Sequence, residues 1–161
     1  MKFKSDFITN SSSSSFIAWG VSLDKINFPD EIALQIFKSH LKDEKESLAR
    51  CDERWRTGYQ ETISEMESLE TDKARIEYVD KKMDFEDKIT LAMKGTERPF
   101  EWENTDYCEG IGISPSTLTS KYPDVRVGEI KKFVAEKFQE ILKVDVKESD
   151  IKFFEESWYN G

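Results

Sequence analysis

Two groups of hydroxyls are the residues best placed by type and spacing to do chemistry in this chain. Ser11, Ser12, Ser13, Ser14 and Ser15 run unbroken near the start, and Ser114, Ser116 and Thr117 bracket Pro115 further along, with Lys121 and Arg126 after them. Hydroxyls beside the exposed N–H groups of a turn that opens a helix hold oxyanions, and a neighbouring lysine or arginine adds charge-assisted bonds. The combination predicts a ligand site for an anionic small molecule, a nucleotide or other phosphorylated metabolite. Each neutral hydroxyl contact contributes only about 0.5–1.5 kcal/mol, so several must converge on one ligand. The plainer alternative is that Ser114 and Ser116 cap a short helix. A serine run is ordinarily a linker, but this one leads straight into Phe16, Ile17, Trp19 and Val21, which read as a buried strand.

No set of catalytic residues emerges. Gly110-Ile111-Gly112 follows a strand-like segment, but the third glycine of a dinucleotide fingerprint would fall on Pro115, so the phosphate-binding turn fails. The chain has no GxxxxGK[ST], HExxH or GxSxG string, and Lys121 is not spaced as in SxxK. His40 is the single histidine, and no local spacing gives it a partner. Cys51 and Cys108 form no CxxC, and with one histidine they make no zinc set. Glu101, Glu103 and Asp106 alternate as Mg²⁺ or Ca²⁺ ligands could, but nothing in the spacing fixes their geometry. Neither a metal nor a cofactor is expected, and an enzyme is the least favoured class.

The charge balance narrows the partners. A net charge of -9 opposes nucleic-acid binding by phosphate neutralisation and docking on anionic membranes. Lysines and arginines are interleaved with the acids, which also argues against imitation of DNA charge. No run approaches the length of a membrane span, and Met1 to Asp6 lack the apolar stretch of a secretory signal. The expected setting is the cytoplasm.

The elements that must position these residues follow from periodicity. Residues 14–23 predict a strand. Pro29, Asp30 and Glu31 predict a helix start, with Ile32, Ile36, Phe37 and Leu41 on its core face. From 42 to 94 the chain is densely charged and free of proline, and Leu69, Ile76 and Met83 recur every seven residues, a narrow stripe that predicts long paired helices. Gly58 or Glu70-Thr71-Asp72 is the expected turn, and Gly95 the end of the helical region. Arg98 to Asn104 reads as a loop, 107–113 as a glycine-interrupted strand, 127–142 as a helix and 151–159 as a closing strand. The expected fold is α/β in the α+β sense: a small sheet of about three or more strands with a long charged helical hairpin after the first. At 161 residues one domain is expected, with 29–94 as a helical arm and 95–161 joining 1–28 as the sheet-containing core.

The opening phrase Lys4-Ser5-Asp6-Phe7-Ile8-Thr9-Asn10, continuing through the serines to Phe16-Ile17, resembles an F-[VI]-T-N-S-S-S-S-S-F-[VI] signature. That signature is shared by a scatter of uncharacterised bacterial and bacteriophage proteins. The resemblance implies a phage or mobile-element accessory protein in a bacterial host, and virion association is compatible with it; it implies no activity. Together with the arm it favours a non-enzymatic protein that binds or occludes a protein partner, or a second copy of itself. The expected contact residues are Ile63, Met66, Leu69, Ile76, Val79 and Met83. The small-molecule binder is the alternative.

Overall fold

The computed structural model describes residues 13–104 and 109–159. Among them are four strands and six α-helices, an α+β fold in which the first strand is followed by a helical stretch. The strands form one antiparallel sheet in the order β2-β3-β1-β4, with β1 Ser13–Ser22, β2 Glu101–Asn104, β3 Glu109–Ile113 and β4 Lys152–Tyr159. The expected loop at 98–104 therefore contains a strand. Trp102 pairs with Ile111, and a four-residue edge strand is too short to show the alternation by which strands are read from sequence.

The chain divides into two compact units. The first, residues 1–25, 99–135 and 147–161, holds the sheet. Val21 pairs with Ile111 and Trp19 with Ile113, and Val21, Ile111 and Ile113 are fully buried. On the opposite face Gly20 pairs with Gly112. A Cβ at Gly20 would stand 1.9 Å from the Ile111 carbonyl oxygen, and one at Gly112 would stand 2.4 Å from that of Trp19. The two backbones touch where they cross, and only glycine fits on both sides. This explains the interruption of the β3 pattern. Helix α5 (Pro115–Lys121) follows β3 directly, with Ser114 as its cap.

The second unit, residues 26–98 and 136–146, is helical. Helix α1 (Asp30–Arg50) starts at Pro29 as its residue types dictate, and it packs on α2 (Glu53–Glu67), α3 (Asp72–Lys82) and α4 (Phe85–Ala92). The expected long hairpin is thus a cluster of four helices. Its turns fall at Cys51-Asp52, before Thr71, whose hydroxyl accepts the Ala74 N–H at 3.2 Å, and at Met83-Asp84; Gly58 lies inside α2. Gly95 follows α4 with φ +88°, the left-handed conformation expected of a glycine past a helix end. Phe37 meets Tyr78 edge-on at 5.7 Å, and ion pairs tie Lys45 to Glu67 (2.6 Å) and Lys82 to Glu65 (3.5 Å).

Residues 136–146, expected with the sheet, belong to this helical unit. Helix α6 (Ile130–Lys137) runs into a π-helical turn, Phe138–Leu142, which stops at Lys143 in the left-handed conformation (φ 55°). Phe138, Leu142, Val144 and Val146 are buried. Lys137 donates to Glu97 at 3.2 Å and to Glu140 at 2.9 Å. Burial pushes its ammonium down, but the two carboxylates outweigh that and hold it above the ordinary lysine value.

Candidate functional site

The hydroxyl cluster assembles as its residue types suggest, around an acceptor the chain itself supplies. Ser114 is 5% exposed and stands at the junction of β3 and α5. Its Oγ donates to Glu101 Oε1 at 2.5 Å, and the Thr117 hydroxyl reaches the same oxygen at 3.3 Å. The Thr117 N–H donates back to Ser114 Oγ at 3.3 Å, and Ser116 Oγ lies 2.9 Å away. One proton assignment serves four of the five contacts: Ser114 and Thr117 donate to the carboxylate, while the Ser116 hydroxyl and the Thr117 amide donate to Ser114, and the Ser114 and Thr117 hydroxyls, 3.1 Å apart, then share no proton. That assignment fills Ser114's donor and both of its lone pairs. Ser114 caps α5, and its hydroxyl also holds the carboxylate of Glu101 on the neighbouring strand.

Lys121 and Arg126 are exposed. Ser13, Ser14 and Ser15 lie in β1 opposite Tyr159, Trp158 and Ser157 of β4, and Ser11 and Ser12 fall outside the described residues. Ser13 to Ser15 enter the sheet as backbone-paired strand.

The stripe expected to meet a partner is largely packed inside the helical unit. Ile63, Met66, Val79 and Met83 are buried, while Leu69 and Ile76 are half-buried. A seven-residue recurrence marks the inner face of a helix whether its partner is another protein or the next helix of the same chain. Here the chain's own helices provide that partner, so these six residues do not form an open contact surface.

The surface of the helical unit instead presents Trp55 near the start of α2. It is 62% exposed, the most exposed large apolar side chain among the described residues. The Arg54 guanidinium lies over its ring, 5.7 Å from the centroid. Arg50 and Arg56 flank it in sequence and are exposed. Three of the chain's six arginines thus fall between positions 50 and 56, around one tryptophan. Beside them Asp43, Glu46, Ser47, Arg50, Cys51 and Tyr59 line a shallow polar groove.

The remaining candidates have local structural roles. His40 is half-buried, 4.0 Å from Glu44 and with its ring 6.5 Å from that of Tyr78. Burial, with Glu65 and Glu44 nearby, raises the Tyr78 phenol above its ordinary value. Cys51 donates to the Leu48 carbonyl at 3.4 Å. Cys108 and Asp106 lie outside the described residues. Among the described residues no group of three or more His, Cys, Asp or Glu side chains is arranged to hold a metal ion, and no helix is long and apolar enough to cross a membrane. Comparison with family models, characterised proteins and solved structures finds no match to this chain.

Proposed function

We propose that the protein is a non-enzymatic interaction protein that binds or occludes a protein partner through the α1–α2 corner of its helical unit. It would be an accessory protein of the phage or mobile-element kind, acting in the cytoplasm of a bacterial host. The observation that carries the reading is the exposed Trp55 with Arg54 stacked on it and Arg50 and Arg56 alongside. Tryptophan and arginine dominate the energetics of protein interfaces because they combine large contact area with directional polar groups. The small-molecule reading is weakened because Ser114 and Thr117 already direct their hydroxyls at Glu101.

A photo-crosslinking residue in place of Trp55, expressed in the bacterial host, tests the proposal. A second variant carries it at Lys73, an exposed position on α3. A discrete adduct from position 55 and none from position 73 is expected. Trp55→Ala should then weaken the complex by about 2 kcal/mol or more, roughly thirtyfold in Kd. Adducts of equal yield from both positions, or none from position 55, would refute it.

A further inference from the structure

The sheet order leaves β2 and β4 as edge strands, of four and eight residues. No strand lies on the outer side of β4 among the described residues. Strand edges carry backbone donors and acceptors that template a further strand, and proteins commonly blunt them with proline, bulges or short length. Of these devices β4 has none, although it carries the charged residues Lys152, Glu155 and Glu156, which also discourage indiscriminate edge pairing. It contains no proline, and its pairing with β1 runs in unbroken register from Lys152↔Gly20 to Tyr159↔Ser13.

The face beside this edge has a definite chemistry. Phe153, 39% exposed, packs on Trp19 with ring centroids 5.1 Å apart, and Ile17 on the same face is half-buried. Glu155, two residues along, is exposed and sits opposite Ile17. A strand added here would meet an apolar surface at one position and a carboxylate at the next position on that face. Self-pairing is disfavoured: the antiparallel register overlapping two β4 strands completely sets Glu155 opposite Glu156 of the second copy. Like charges directly opposite destabilise a pair, and each copy carries a net charge of -9.

We infer that the outer edge of β4 accepts, by strand addition, an extended segment of another protein in which an apolar residue and a lysine or arginine stand two positions apart, on one face of the added strand. Main-chain hydrogen bonds would supply affinity, and Phe153 and Glu155 the choice of sequence. The inference rests on different residues from the helical surface and stands or falls separately.

The test titrates the whole protein with an acetylated eight-residue peptide of the repeat valine-threonine-lysine-threonine, which sets valine and lysine on one face, followed by amide NMR. Saturable binding is expected, with the largest shifts in 152–155. Phe153→Ala and Glu155→Lys should each weaken it about five- to tenfold. Both are exposed positions, so the fold should survive. N-methylation of the peptide's ladder-forming amides should abolish binding. The proposal is overturned if the N-methylated peptide binds as well as the parent, or if the peptide with glutamate in place of each lysine does. It is also overturned by no saturation at about 1 mM, the weak end of specific recognition. A dimer of the protein that the peptide displaces would make a second copy the occupant and overturn it equally.

Discussion

Ser114 illustrates how one side chain can satisfy several needs at a junction. It ends β3, caps α5 and, with Thr117, anchors the Glu101 carboxylate of β2. Replacing it with alanine removes the cap and leaves Glu101 with one hydroxyl donor fewer. Ser114→Ala should therefore lower unfolding stability by about 1–3 kcal/mol, read as a fall in the urea midpoint without a change of slope. Thr117→Val, which keeps the backbone N–H on Ser114, should cost less. Equal stability of Ser114→Ala and the parent would mean that the network adds nothing net over hydration. The hydroxyls of this cluster were legible because they are adjacent in sequence. The carboxylate was not: Glu101 lies thirteen residues upstream of Ser114 on a strand too short to be recognised, and no local spacing links the two.

At the scale of elements, chain chemistry fixed the starts and stops better than the turns between them. Pro29 and Gly95 bound the helical region because ring geometry and left-handed backbone leave few alternatives. Gly58 misled for the same reason. Glycine permits a turn without requiring one, and here it sits exposed in α2 with nothing within 4 Å of a Cβ. The two kinds of glycine should respond oppositely to alanine. Gly58→Ala should raise stability by about 0.5–1 kcal/mol by restricting the unfolded chain and favouring the helix. Gly20→Ala should lower it by about 3 kcal/mol or more, because the strands must part to admit a methyl group 1.9 Å from a carbonyl oxygen. Thermal melts of both variants against the parent decide the matter, and a destabilised Gly58→Ala would show that α2 bends at that residue. The seven-residue stripe has a parallel lesson. Its burial was legible, but whether the covering helix came from the same chain was not, since periodicity records that a face is covered and not by what.

For the whole molecule, the chain's path between its two units matters more than the boundary of either. It leaves the sheet-bearing unit after Lys25, returns at Pro99, leaves again after Ala135 and returns at Lys147. The α+β class was legible because strand-like and helix-like periods occupy separate stretches, but the second excursion was not, because 127–142 reads as one continuous helix. In the structure that helix changes from α to π geometry at Phe138, and its last turns join the helical unit, where Lys137 bonds Glu97. An arm cut at 29–94, or the longer fragment 26–98, therefore lacks a buried part of its own unit. Phe138, Leu142, Val144 and Val146 bring apolar side chains that are at most 7% exposed, each contributing about 1.5–3 kcal/mol when fully buried. That sum is comparable with the whole stability of a small domain. The fragment 26–98 should retain helical circular dichroism yet melt without a sharp transition. Adding 136–146 through a flexible linker should restore cooperativity. If the shorter fragment melts as sharply as the extended one, residues 136–146 are a passenger on the helices and the helical unit is complete without them.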